Sequence, residues 1–230
     1  MIYLFDVDGT LTLSRLAMDV EFKHWFKSFM TTHRVMLVTG SDISKTIEQL
    51  GEDIVNNVSY SFNSAGNEIY THGKLLYRSD WTSPENLHIF LNAKLDETKY
   101  PKFGNHFEDR PGMLNFSYVG QHATREQRIK YAGWDIISQQ RHYLTKEINA
   151  NWPNLHAVIG GQISIDIFQK GFDKSQILNF LVDQEITFFG DRIDPCGNDY
   201  TLAKRIIDDA CGQCYNVKNW QHTWSILTSL

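Results

Sequence analysis

The sequence predicts an α/β fold, and three observations carry that expectation. Residues 2–5 form a nearly continuous apolar run that stops at Asp6-Val7-Asp8-Gly9-Thr10, as a strand buried on both faces of a parallel sheet would. Strand and helix patterns then alternate near both ends of the chain, the signature of a layered α/β sheet. Between about residues 81 and 168 the texture changes to α+β, which marks an insertion.

The elements follow in order. Residues 18–31 set Val20, Phe22, Trp25, Phe26 and Phe29 on one helical face. Residues 34–40 read as a second strand running into a glycine turn. Ser41 or Asp42 then caps a helix through Leu50, which Gly51 closes. From 58 to 77 the pattern shortens to extended pieces, with a hairpin at 71–74. The insertion is expected to hold helices over 84–95 and 124–148, with strands over 113–119, 156–159 and 162–168. After Gly171 the parallel pattern returns, with a helix over 174–182, a strand over 186–189, a helix over 199–209, a short strand at 214–217 and a closing helix. The simplest assembly is a Rossmann-like core from residues 1–80 and 170–230, with an α+β cap at 81–169.

Composition narrows the partners. With 230 residues, 42% of them hydrophobic, the chain can bury a sizeable core. A net charge of -5 argues against a nucleic-acid partner, which calls for a basic surface. No apolar run reaches membrane-spanning length, and the opening residues lack the pattern of a leader, so a cytoplasmic protein is expected. Cys196, Cys211 and Cys214 are too few for a disulfide framework. The Cys211/Cys214 spacing has no second pair to complete a zinc site, and a helix end entering a short strand accounts for it.

The chemistry gathers at the predicted strand ends. Asp6 and Asp8 stand two residues apart and so project to the same side of an extended backbone. Open α/β sheets bind ligands at the carboxyl ends of their strands. Two adjacent carboxylates repel and call for a cation, and Mg²⁺ suits oxygen ligands. One carboxylate can attack phosphorus to give an aspartyl phosphate, while the other moves the proton on the leaving or attacking oxygen. An Asp-Gly turn standing alone is commonplace; D-x-D-G-T directly after an apolar strand is not. Taken singly, Thr39 or Lys174 would read as an idle solvated side chain.

With these residues in place, the chain resembles the haloacid dehalogenase superfamily, whose opening motif is D-x-D-G-T. The resemblance makes Asp6 the nucleophile and Asp8 the general acid/base. Thr39 in Val38-Thr39-Gly40 matches the hydroxyl residue that binds the transferring phosphoryl group, with Ser41 as a second candidate. Lys174 in Gly171-Phe172-Asp173-Lys174 matches the lysine that balances the phosphoaspartate. Asp191, after Gly190, matches a Mg²⁺ ligand beside Asp6 and the backbone carbonyl of Asp8, with Asn198 and Asp199 supporting the site.

Within that superfamily the chain is similar to the eukaryotic-type phosphomannomutases. The likeness runs through Leu4 to Thr12 with Arg15, Gly40-Ser41-Asp42, and Arg110 with Gly112-Met113-Leu114-Asn115. It continues in Gly160-Gly161-Gln162-Ile163-Ser164-Ile165-Asp166 and Gly197-Asn198-Asp199-Tyr200. It implies a type C2 cap and a small hexose phosphate as substrate, with Arg15 beside the catalytic residues. Arg110 and Arg128 are expected to hold the distal phosphate, and Ser164 and Asp166 to contact the sugar or its phosphate. Mg²⁺ and a sugar 1,6-bisphosphate activator are implied, as is a homodimer joined through the caps.

Two positions depart from that family. Gln121 stands where a third cap arginine is expected, and Thr39 where glycine is usual. The expected reaction is interconversion of mannose 6-phosphate and mannose 1-phosphate. A Mg²⁺-dependent sugar-phosphate phosphatase on the same fold is the alternative. A non-catalytic phosphosugar-binding protein is the third reading, and it is weakened by the presence of Asp6, Asp8 and Lys174.

Overall fold

The computed structural model describes residues 1–195 and 197–230. Contacts divide them into two compact units, Met1–Ser79 with Phe172–Leu230, and Asp80–Gly171. Cys196, one of the three cysteines, lies outside the described residues.

The first unit begins with β1 (Ile2–Phe5), α1 (Val20–Met30), β2 (Val35–Val38), α2 (Ile43–Leu50) and the single turn α3 (Glu52–Val55). β3 (Tyr60–Asn63), β4 (Glu68–Thr71) and β5 (Lys74–Arg78) follow. Asp19 caps α1 by accepting from Glu21 N and Phe22 N, and Asp42 caps α2 by accepting from Lys45 N. His72 and Gly73, both at positive φ, make the two-residue turn joining β4 to β5.

The second unit holds α4 (Glu85–Glu97), β6 (Phe107–Arg110), β7 (Met113–Phe116), α5 (Arg125–Ser138), α6 (Gln140–Asn151), β8 (Leu155–Ile159) and β9 (Ile165–Gln169). The chain then returns to the first unit for β10 (Ile186–Gly190), α7 (Tyr200–Asp208), β11 (Gly212–Asn216) and α8 (Trp220–Leu227). No helix among the described residues is long and apolar enough to cross a membrane.

Seven strands of the first unit pair in the order β11-β10-β1-β2-β3-β4-β5, parallel from β11 through β3 and antiparallel beyond. Side chains alternate across this sheet. Tyr3, Phe5, Val35 and Leu37 pack with Phe22, Phe26 and Phe29 of α1, Leu50, Ile54 and Leu227. Ile2, Leu4, Met36 and Val38 pack on the other face with Ile177, Leu202 and Ile206. Each fully buried Phe contributes roughly 1.5–3 kcal/mol. Burial on both faces is why the central strands read as unbroken apolar runs.

The second unit builds an antiparallel sheet in the order β6-β7-β9-β8. Leu114 and Phe116 of β7 pack with Ile165 and Ile167 of β9, and with Leu87, Leu91 and Leu95 of α4, Tyr131, Leu144 and Ile148. The next residues along the same strands, Asn115 and Asp166, pair directly across the ladder and project to the opposite face.

Three expectations are corrected, and one strand is added. The helix expected over 124–148 is two helices, broken at Gln139, which is left-handed at φ 55°. The cause is Asp135, whose carboxylate accepts from Arg141 N and so caps the second helix from within the first. The segment Lys174–Asn179 is a 3₁₀ helix rather than an α-helix. The strand expected from 162 starts at Ile165, because the preceding carbonyls of Gly160, Gly161 and Ser164 are taken by Arg141 Nη1. β6 was not expected, since Phe107-Glu108-Asp109-Arg110 is an edge strand of mostly polar residues.

Candidate active site

β1 delivers Asp6 and Asp8 at the carboxyl edge of the sheet. Val7 O accepts from the amides of Thr10, Leu11 and Thr12, which curls the chain sharply after the strand. Gly9 is at φ +90°, and a Cβ there would collide with the Asp191 carboxylate. Only glycine meets both demands, so the turn after β1 is fitted directly against Asp191, just after β10.

Asp6 is buried and accepts from Lys174 Nζ at 2.6 Å; the same ammonium donates to Asp199 Oδ1 at 2.6 Å. Carboxylate oxygens of Asp6, Asp191 and Asp199 all lie within 4.8 Å of one another. Three carboxylates thus face one ammonium. Burial pushes the Asp6 carboxyl well above its usual range; the Lys174 charge opposes this, and the charges of Asp199 and Asp191 add to it. Burial, followed by Asp199, pushes Asp191 up to about 7. Burial alone would favour a neutral Lys174, but the charges of Asp199 and Asp6 outweigh it and hold the ammonium above its ordinary range. The unmatched negative charge and the all-oxygen donor set suit a hard divalent cation such as Mg²⁺.

Asp8 belongs to a different network. Its Oδ1 accepts from Arg15 N at 2.8 Å and Gln49 Nε2 at 3.0 Å, and its Oδ2 accepts from Ser41 Oγ at 3.3 Å. Its carboxylate is therefore held by neutral donors, outside the acidic trio. Thr39 is buried, and its Oγ1 accepts from Ser41 N at 3.0 Å. Asp199 Oδ2 also accepts from Arg192 N, so both its oxygens are engaged. Asn198 sits half-buried just before α7.

The candidate residues of the second unit gather on the polar face of its sheet. Glu108, Asn115 and Asp166 form one row across β6, β7 and β9. Gln121 Nε2 donates to Asn115 Oδ1 at 2.5 Å, and Asn115 Nδ2 donates to Asp166 Oδ1 at 2.5 Å. Arg128 Nη2 donates to Gln121 O at 2.6 Å and its Nε to Ala123 O at 2.9 Å. Arg110 pairs with Glu108 at 2.6 Å. Ser164, buried, gives its carbonyl to Arg141.

Several residues support the site in roles that the sequence does not assign to them. Gln49 holds Asp8, Asn115 joins Gln121 to Asp166, and Arg141 fastens the 160–164 loop while paired to Asp135 at 2.7 Å. Helical spacing could have found Gln49: it lies on the α2 face with Thr46, both buried and polar. The six-residue gap between Asp135 and Arg141 carried no comparable signal.

The fold places the chain in a broad class first. Among solved structures, a haloacid dehalogenase-like hydrolase from Bacteroides thetaiotaomicron superposes with a TM-score of 0.59 at 12% identity, over 100% of this chain and 99% of that one. A sucrose-phosphatase from Synechocystis superposes at 0.60 and 14% identity, over 100% and 97%. At such identities the likeness shows the fold: a Rossmann-like core of the haloacid dehalogenase type.

The sequence comparisons go further. The eukaryotic phosphomannomutase family matches residues 22–230. A phosphomannomutase of Saccharomyces cerevisiae is 35% identical across 99% of this chain and 92% of its own. Phosphomannomutase 2 of Dictyostelium discoideum is 34% identical across 98% and 94%. The chain belongs to the eukaryotic phosphomannomutase family.

Proposed function

We propose that this protein is a phosphomannomutase that interconverts mannose 6-phosphate and mannose 1-phosphate through a phosphorylated Asp6. The observation that carries the reading is the buried Lys174 bridge between Asp6 and Asp199, beside Asp191, in a member of this family. A primed Asp6 gives its phosphoryl group to the sugar monophosphate, and the resulting bisphosphate returns a phosphoryl group from its other end. In the return step an Asp6 carboxylate oxygen bonds to phosphorus while the bond from phosphorus to the sugar oxygen breaks. Asp8 gives its proton to that leaving oxygen. In the forward step Asp8 takes the proton from the attacking sugar hydroxyl.

Lys174 steadies the charge that spreads over the phosphoryl oxygens, and Thr39 and Ser41 offer hydrogen bonds to them. Mg²⁺, held by Asp6, Asp191 and the Asp8 carbonyl with Asn198 and Asp199 in support, would supply further positive charge at that place. Arg15 binds substrate beside the catalytic residues. Arg110, Arg128, Gln121, Ser164 and Asp166 hold the distal phosphate and the sugar, because arginine forks suit phosphate oxygens. A sugar 1,6-bisphosphate primes Asp6. Exposed Ile129, Ile136, Ile137 and Tyr143 on α5 and α6 support a homodimer through the caps. The family's character supports a cytoplasmic location, without nucleic-acid or membrane partners.

A sugar-phosphate phosphatase is the second reading. It is favoured by Gln121, a neutral amide committed to Asn115 where a further guanidinium would help retain a bisphosphate.

The test is incubation with mannose 1-phosphate, Mg²⁺ and catalytic glucose 1,6-bisphosphate, following mannose 6-phosphate and free phosphate together. Mannose 6-phosphate is expected well ahead of free phosphate. Free phosphate alone would replace the mutase with the phosphatase.

A further inference from the structure

The turn between β3 and β4 is an unusual piece of backbone. Ser64, Ala65 and Gly66 take φ values of 48°, 59° and 89° in succession, and all three are buried. Two non-glycine residues in the left-handed region persist only where their surroundings over-determine them. A Cβ on Gly66 would come within 2.8 Å of Ile177 Cγ2, so the turn is pressed against the 3₁₀ segment that begins at Lys174.

The hydrogen bonds show what the turn joins. Ser64 N donates to Ser41 O at 2.9 Å, and Ala65 N donates to Thr39 O at 2.8 Å. The turn therefore grips the loop that carries both candidate phosphoryl-binding hydroxyls. On its other side two amide side chains bridge it to the loop before Lys174. Gln176 Nε2 donates to Ala65 O at 2.8 Å and to Phe172 O at 3.0 Å. Asn67 Nδ2 donates to Ser64 O at 2.8 Å and to Phe172 O at 3.0 Å. Two donors thus occupy both lone pairs of one carbonyl, two residues from the catalytic lysine.

We propose that Asn67 and Gln176 are positioning residues that, through the left-handed 64–66 turn, set Lys174 against the Thr39–Ser41 loop. The proposal rests on the functional reading above. Neither side chain touches the reacting atoms. Each acts by fixing the Phe172 carbonyl, and so the backbone from which the Lys174 ammonium reaches Asp6 and Asp199. Those two contacts are short and simultaneous, so a modest slide of the loop breaks one of them. Misplacement by about 1 Å can cost on the order of 100-fold in rate.

Two substitutions test it. Gln176→Met keeps the bulk and removes the donors; Asn67→Ser is the smaller change and carries the test if the first does not fold. Thr71→Val, which deletes a hydrogen bond to Ser59 O in the same unit, is the control for lost stability alone. The readouts are kcat and KM for mannose 1-phosphate, and the affinity for orthovanadate in the presence of Mg²⁺. Both substitutions are expected to lower kcat by about 10- to 100-fold with KM within about twofold, and to weaken vanadate by a similar factor, while Thr71→Val changes neither. Folded variants with kcat and vanadate affinity within twofold of the parent would overturn the proposal and leave the functional reading standing. A parent protein that neither turns over nor binds vanadate would overturn both.

Discussion

The two units hold their polar residues by opposite means. In the first, a single ammonium joins two carboxylates with a third nearby, and the charges do not cancel. In the second, amides hand hydrogen bonds along a row from Gln121 to Asn115 to Asp166. Its arginines there are tied either to carbonyls, as Arg128 is, or to a carboxylate, as Arg110 is to Glu108. A surplus of buried negative charge calls for relief by a proton or a bound cation, whereas a satisfied amide row fixes shape and leaves the charge to be supplied by the ligand.

The harshest way to break that contrast is to remove the buried cation from each side. Lys174→Met leaves Asp6 and Asp199 facing each other in the core, and turnover should fall by at least about 100- to 1000-fold. Breaking a buried pair also costs roughly 3–5 kcal/mol, part of which protonation of Asp6 relieves. Arg141→Gln removes the partner of Asp135 and three bonds to the 160–164 loop, and should cost a similar amount of stability. Its kinetic signature should differ: KM should rise more than kcat falls, since the loop carries Ser164 and leads to Asp166. Steady-state kinetics with thermal melting separates the two. Equal losses of kcat in both variants would erase the distinction between charge-holding and shape-holding units.

A gentler test titrates the first unit. Asp191 has an ordinary value of 3.8 and is pushed up to about 7 in the fold by burial and then by Asp199. Between these values the native state binds more protons than the unfolded chain. Stability without Mg²⁺ should therefore fall as pH rises from about 4 through about 7. Mg²⁺ competes with the same proton, so its affinity should weaken by about tenfold per pH unit below 7 for each proton displaced. The rise in melting temperature on adding Mg²⁺ should be larger at pH 8 than at pH 6. An equal rise at both would mean that Asp191 is already ionised without the metal.

The contrast also explains what could be read in advance. The loops of the first unit were legible because each follows an apolar strand or opens a segment, which fixes where Asp6, Thr39, Lys174 and Asp191 stand along the sheet edge. The alternation announced a parallel sheet but not the order of its seven strands, which the structure supplies. The second unit was legible in its apolar face, where Leu87, Leu91 and Leu95 repeat at helical spacing, and much less in its polar one. No proline or glycine stands at Gln139 to announce a break there. Its cause is a carboxylate four residues earlier capping an amide two residues later, which is tertiary information held in side chains. Asn67 and Gln176 escaped notice for the same reason, being ordinary amides whose importance comes from the one carbonyl they share.

The smallest expected effect sharpens the comparison most finely, because each unit contains a non-glycine residue at a left-handed junction. Gln139 in the second unit is at φ 55°, and Ala65 in the first is at φ 59°. The left-handed region costs an L-residue roughly 1–2 kcal/mol, and glycine gives back about 0.5–1 kcal/mol of that through its looser unfolded chain. Gln139→Gly and Ala65→Gly should each stabilise by about 0.5–1 kcal/mol, a rise of roughly 1–4 °C in melting temperature. Gln139 is exposed, so relief there is expected to be a change of stability alone. Ala65 is buried in the turn that grips the Thr39–Ser41 loop, but its hydrogen bonds come from backbone atoms, which glycine retains. Turnover of Ala65→Gly should therefore stay within about twofold of the parent while the protein melts higher. A stabilised Ala65→Gly that had lost tenfold or more in kcat would move the positioning role from the amides of Asn67 and Gln176 to the restricted backbone of the turn itself.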